Sequence, residues 1–380
     1  LGVAGLARLV CRDVFRFPRL SRQDWPLELE RAGWGGIVGR MKGAELLELA
    51  ERVLRIPTAP YHEQGVRALV EELGREWGLR VARDRAGNVI VRAGTGRRPL
   101  VFVAHMDHPG FEALGGKSVV FFGGVPAEMF PGARVRFGAK VAQVRRVTGS
   151  KRMQMNVTLP RGTWGMWDVP AFAVRRGRLQ AAAVDDLVGV SAILAMLRTV
   201  AQRKQGGPVW GVFTRAEEVG FHGALEMARA GVIPRAALVV SVEMSRARAW
   251  ARIGAGPVVR VGDRLTTFDP RGTMFLQETA LAAGVKVQRA LMDGGSCEAT
   301  AFAAHGYRTA GLCLPLGNYH NIGPGQKPRA EYVSVADFEG LVEVMVAAVR
   351  RWPRFNRTGQ PLLQRLRAIR AAAPRPLWRE

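Results

Sequence analysis

Apolar residues recur at helical spacing in two early segments. Leu46, Leu47, Ala50, Val53 and Leu54 fall on one face of a predicted helix that Pro57 ends. Val66, Leu69, Val70, Leu73 and Trp77 define a second. The turn Asp84–Asn88, with its Gly and Asn, leads into the short strand Val89-Ile90-Val91. After a further turn at Arg97–Pro99, the run Leu100–Ala104 is continuously apolar, the pattern of a strand buried on both faces. Val209–Phe213 and Ala237–Val242 repeat that pattern, and a helix over Val188–Val200 precedes both. Strands alternating with helices predict an α/β fold: a three-layer sandwich around a mostly parallel mixed sheet, with helices on both faces.

Residues 112–179 break the rhythm. Short β-like runs at Val119–Phe122, Ala133–Phe137, Val141–Val147 and Met153–Leu159 are separated by Gly and Pro. They predict a small inserted β-barrel-like domain, leaving 41–111 and 180–353 as the α/β domain. Residues 1–40 lack sustained periodicity and end in a Gly-rich stretch, so Met41 is expected to be the natural start and 1–40 an extension of the reading frame.

Charge changes the picture modestly. The net charge is +24, carried by 49 Arg and only seven Lys. Nucleic acid or another polyanion is one reading. A compositional bias toward arginine is the other, and it makes nucleic acid the lesser expectation. The segment 350–380 holds nine Arg and one acid, a basic tail assigned to 354–380. No apolar run is long enough to span a membrane, and arginines interrupt the N-terminal apolar stretch where a secretory signal would need a clean core. Three cysteines without C-x-x-C spacing suit neither a disulfide framework nor a zinc finger. These features together predict a cytoplasmic protein without a membrane partner.

Four segments carry candidate chemistry, mostly just after a predicted strand, where ligands gather in open α/β sheets. His105-Met106-Asp107 offers an imidazole and a carboxylate that can orient it. Asp185-Asp186 precedes a helix and reads either as capping acids or as a carboxylate able to bridge two cations. Glu217-Glu218 reads as an exposed acidic loop, or as a metal ligand beside a general base. The fourth, Asn318-Tyr319-His320-Asn321, again places a His at a strand exit, and Glu243 adds an acid at the end of Ala237–Val242. The set supplies two His and several carboxylates in an order suited to a two-metal site.

Taken with their surroundings these segments resemble the clan of co-catalytic zinc exopeptidases, and most closely the tetrahedral or glutamyl aminopeptidases. The carrying motifs are Val101–Phe111, Ala183–Gly189, Thr214–Gly223, Gly254–Pro257, Gly294–Ala299 and Pro315–His320. The resemblance runs from Met41 to about Val349. It implies a metallo-aminopeptidase-like hydrolase whose catalytic domain is the α/β portion. By position, His105 and Glu243 hold one divalent metal, Glu218 and His320 the other, and Asp185 bridges both. Glu217 is then the general base toward a metal-bridging water, and Asp107 orients His105. Zinc is the expected metal, with cobalt or manganese also suited to the set. The resemblance further implies a homo-oligomer and a short peptide substrate.

This chain departs from the family pattern at Glu243, where Asp is usual, at Ser296-Cys297-Glu298, at Gly317-Asn318-Tyr319, and at Leu187. These departures bear on specificity. A deacylase or carboxypeptidase-like amidohydrolase acting on acyl-amino acids is the alternative within the clan. A polyanion-binding protein with a decayed site is the remote one. Cys297 and Cys313 are expected to be small buried residues rather than nucleophiles.

Overall fold

The structure is a computed structural model that describes residues 43–203 and 207–371. The expectations for residues 1–40, for Met41 and for the end of the basic tail at 372–380 lie outside the described residues.

Helices α1 (Gly43–Leu54) and α2 (Gln64–Glu76) follow the two early periodicities. Gly78 closes α2 with φ +68°, a conformation that costs glycine little, and turns the chain into β1 (Arg80–Arg83). Next come β2 (Val89–Ala93) and β3 (Leu100–His105), then β4 (Gly110–Phe122), β5 (Arg134–Phe137), β6 (Lys140–Gly149), β7 (Arg152–Leu159) and β8 (Trp164–Trp167). Beyond them are β9 (Phe172–Arg175), β10 (Arg178–Ala181), α3 (Val184–Arg203), β11 (Val209–Thr214), α4 (His222–Arg229) and β12 (Leu238–Arg246). The last part holds β13 (Val258–Asp263), α5 (Pro270–Ala282), β14 (Gln288–Met292), α6 (Glu298–Ala304), β15 (Arg308–Leu316), β16 (Glu331–Ser334), α7 (Val335–Arg351) and α8 (Gln360–Ala371).

Eight strands form the main sheet in the order β1-β2-β11-β3-β12-β15-β13-β14. The pairs β11–β3, β3–β12, β12–β15 and β13–β14 are parallel, whereas β1–β2, β2–β11 and β15–β13 are antiparallel. Alternation along β3 explains the layers. Leu100, Phe102 and Ala104 enter the core shared with α1, α2, α3 and α7, while Val101 and Val103 join Met227 of α4 and Phe302 of α6 on the other face. Helices on both faces of a mostly parallel mixed sheet make the three-layer α/β architecture that the apolar runs predict.

Strands β4-β7-β6-β5-β8 close into a barrel with a separate core. Its centre is aromatic: Phe111 packs edge-on against Phe121 at 4.9 Å between ring centroids and against Trp167 at 4.7 Å. Strands β9 and β10 pair instead with β16 in a three-stranded sheet. Helix α8 leaves Leu362, Leu363, Leu366 and Ile369 exposed. Among the described residues no helix is long and apolar enough to cross a membrane.

Candidate metal centre

The sheet register gathers the chemistry at one edge. His105 ends β3 and pairs with Thr214 at the end of β11, so residues 215–218 emerge beside it. Glu243 lies near the end of β12, two residues beyond Ser241, which pairs with Val103 of β3. Strand β15 runs parallel to β12 as far as the pair Arg246–Leu316, and the following turn delivers His320. Asp185 enters from the start of α3, where it and Asp186 keep non-helical backbone angles.

Every residue predicted to hold metal meets here. His105 Nε2 lies 3.5 Å from Asp185 Oδ1 and 3.6 Å from Glu243 Oε1. His320 Nε2 lies 3.8 Å from Asp185 Oδ2 and 3.3 Å from Glu218 Oε2. Two three-residue groups, His105/Asp185/Glu243 and Asp185/Glu218/His320, therefore share Asp185, each with its donor atoms within 4.8 Å of one another. Glu217 Oε2 stands 4.0 Å from His105 Nε2.

The donor set suits hard to borderline divalent cations. Imidazole nitrogens and carboxylate oxygens are their usual ligands, and nothing in the set selects a soft thiolophilic ion. Asp185 Oδ1 and Glu218 Oε1 are buried without a hydrogen-bond partner among the described residues. Burial, followed by repulsion from neighbouring carboxylates, raises Asp185, Glu217 and Glu218 well above the usual carboxylate range. Such a crowd of desolvated acids is costly unless cations or protons compensate it. Burial lowers His320 to about 3, so its imidazole is neutral and able to ligate.

A supporting network fixes these ligands. Asp107 Oδ1 accepts the backbone N–H of Glu217 at 3.0 Å and Oδ2 that of Glu218 at 3.1 Å. Its carboxylate is also 3.5 Å from His105 Nδ1. Burial alone would raise Asp107, yet the hydrogen bonds from His105 and the two backbone amides hold it below the ordinary range. His320 Nδ1 reaches the Gly124 carbonyl at 2.7 Å, which ties the barrel to the site. Both imidazoles thus leave Nε2 facing inward.

Several supporting residues have no local sequence signal. Glu331, fully buried, accepts the N–H groups of Val184 and Asp185 at 2.8 and 3.0 Å. His108 approaches the Asp185 carbonyl at 2.6 Å and Asn321 Oδ1 at 2.9 Å. Asp186 accepts the His105 backbone N–H at 3.3 Å, and glycine at 189 leaves room for its carboxylate, which a Cβ there would strike. Glu298, pushed to about 8 by burial, accepts a hydrogen bond from the Thr214 hydroxyl. Cys297 and Cys313 are buried, and burial raises both thiols, Cys313 to about 11, so neither is a ready thiolate.

Comparison with known proteins agrees with this layout. The solved TET aminopeptidase of a marine-sediment Thaumarchaeota archaeon superposes with a TM-score of 0.71 at 19% identity, covering 82% of this chain and 97% of that one. The Pyrococcus horikoshii TET1 peptidase, described as assembling into a tetrahedron or a large octahedral shell, gives 0.68 at 20% identity over 80% of this chain and 99% of its own. A curated relative from Acetivibrio thermocellus is 24% identical over 341 residues, 81% of this chain and all of the relative. The sequence model for the M42 glutamyl aminopeptidases matches residues 153–341, a span that includes Asp185, Glu217, Glu218, Glu243 and His320. With the strand-end cluster, the barrel and this match in agreement, the chain belongs to the M42 glutamyl aminopeptidase family of hydrolases.

Proposed function

We propose that the protein is a binuclear metal-dependent aminopeptidase that releases N-terminal residues from short peptides. The observation that carries this reading is the division of Asp185: one carboxylate oxygen faces His105 and the other faces His320. His105 and Glu243 would hold one divalent cation, Glu218 and His320 the second, with Asp185 between them. Zinc suits these ligands best, and cobalt or manganese would also fit. When bound, two such cations lower the pKa of a water and stabilise negative charge on the scissile carbonyl oxygen.

The chain's own groups do the rest. Glu217 is the general base. Neither three-residue group built on Asp185 needs it, while its carboxylate also lies with His105 and Glu218 in a third group of donor atoms, and a carboxyl beside a water can take up a proton and give it back. Its Oε2 would remove the proton from the attacking water and return it to the leaving amine. Asp107 acts through the backbone, holding Glu217 and Glu218 at fixed positions. We further propose a cytoplasmic homo-oligomer, in line with the assembly described for the Pyrococcus horikoshii peptidase.

The test is hydrolysis of free and N-acetylated short peptides with added zinc and a chelator control. Chelator-sensitive release of residues from the free-amine peptides alone is the expected result. Cleavage of the blocked peptides alone would move the protein to the deacylase reading. Turnover that survives chelation would overturn the metal mechanism.

A further inference from the structure

Strand β11 ends at Thr214, and the next four backbone amides are each taken up by a side-chain oxygen from a distant segment. Asn88 Oδ1 accepts the Arg215 N–H at 3.0 Å, and Glu63 Oε1 accepts that of Ala216 at 3.1 Å. The Asp107 carboxylate then accepts those of Glu217 and Glu218. Three side chains therefore dictate the course of the loop that carries the proposed base.

Glu63 is the least expected of the three. It stands at the start of α2, yet its side chain caps none of that helix's free amides. It is only 1% exposed. Its Oε1 also accepts the Tyr61 N–H at 2.8 Å, and its Oε2 accepts a hydrogen bond from Arg215 Nε at 2.8 Å. The same guanidinium donates to the Ala86 and Tyr61 carbonyls at 3.0 and 3.1 Å. A buried ion pair adds little net stability, and its best-attested use is to select one arrangement over others.

The arrangement selected here is an unusual one. Ala216 has φ +54°, in the left-handed region that a Cβ disfavours. It immediately precedes Glu217. Residues other than glycine keep such angles where their surroundings hold them there, and the Ala216 N–H ends on Glu63. Relaxation of this one residue would redirect the chain at Glu217.

We propose that Glu63 is a positioning residue for the hydrolysis: by holding Ala216 in its left-handed turn, it aims the Glu217 carboxylate at the reacting water. This inference rests on the aminopeptidase reading above, with Glu217 as the base. It acts on the loop backbone and not on a metal ligand.

Glu63→Gln is nearly isosteric, but its amide has one acceptor oxygen to offer three donors. In the zinc-loaded full chain, acting on a free-amine tripeptide that the parent cleaves, kcat should fall on the order of 10- to 100-fold. KM should stay within about threefold and zinc content at the parent value, because a misplaced base costs rate and not binding. In the chelator-treated protein, amide hydrogen exchange over residues 215–218 should quicken by about tenfold. Ala216→Gly supplies the rescue. Glycine takes the left-handed angle at little cost, so in that background Glu63→Gln should lower kcat by a clearly smaller factor than in the parent. Unchanged kcat, unchanged exchange, a loss carried by KM or by zinc, or a fall in kcat that Ala216→Gly does not lessen would each overturn the role and leave the aminopeptidase intact. If the parent cleaves no peptide, the aminopeptidase reading falls and this role falls with it. Should Glu63→Gln fail to fold, Glu63→Asp is read by the same criteria, since it keeps the charge but is one methylene too short to serve Ala216 and Arg215 together.

Discussion

The Asp107 carboxylate and Glu217 meet through the backbone, with Oδ1 accepting the Glu217 N–H at 3.0 Å while Oδ2 accepts that of Glu218 at 3.1 Å. One side chain therefore sets the position of both the proposed base and a proposed ligand. Asparagine has a single acceptor oxygen and can serve only one of the two amides. Asp107→Asn should weaken zinc binding and lower kcat/KM by roughly 10- to 100-fold each, the usual scale for supporting partners of metal ligands. Competition titration with a zinc chelator, beside peptide kinetics, checks both. Affinity and rate both within twofold of the parent would show that the contact is incidental.

Glu217→Gln isolates the base. Glutamine keeps the size and one acceptor but cannot take a proton. Turnover should fall by about 10²- to 10⁴-fold. Metal content should stay at the parent value, because the ligand groups centred on Asp185 do not need residue 217. Loss of bound metal together with activity would instead make residue 217 a ligand and leave the base to be found elsewhere.

Much of this layout was legible in the chain. Leu100–Ala104 announced a strand covered on both faces, because a strand in the middle of a layered sheet has no polar side to alternate with. The short Gly- and Pro-punctuated runs of the insertion gave the barrel for the opposite reason, since each of its strands has one inward face. The order of His, Asp, Glu pair and final His gave the cluster, because strand ends of one sheet converge. The rest depends on residues far apart in the chain. Glu331 caps Asp185 from 146 residues downstream, and an isolated acid carries no pattern that reveals such a role. Strand β13 was hidden because Arg260 interrupts its apolar run, and only the fold shows that this arginine faces the pocket.

Glu298 predicts a pH dependence of stability. Burial raises its carboxyl from 4.5 to about 8 in the folded chain. Between those values the folded state holds a proton that the unfolded state has lost. The contribution of this group to stability is thus fully present below about pH 4.5 and is lost as pH rises through about 8. Glu298→Gln keeps an acceptor for the Thr214 hydroxyl and removes the titration. In the chelator-treated protein, urea midpoints at pH 5 and pH 8.5 should differ less in the variant than in the parent. An unchanged difference would place the titration elsewhere.

Gly189→Ala should reverse an ordinary expectation. Alanine within a helix is favoured over glycine by about 1 kcal/mol. At this position in α3, however, a Cβ would collide with the Asp186 carboxylate. That carboxylate is fully buried and accepts the His105 backbone N–H at 3.3 Å. Turning it aside would leave a buried donor unpaired, a loss of about 1–3 kcal/mol, and would loosen the residue that presents one of the two imidazoles. The variant should therefore melt lower and bind zinc less tightly. A double-mutant cycle separates cause from coincidence. With Asp186→Ala already in place the collision is gone, and Gly189→Ala should then raise the melting temperature through helix propensity. If it lowers stability equally in both backgrounds, the glycine is needed for packing that does not involve Asp186.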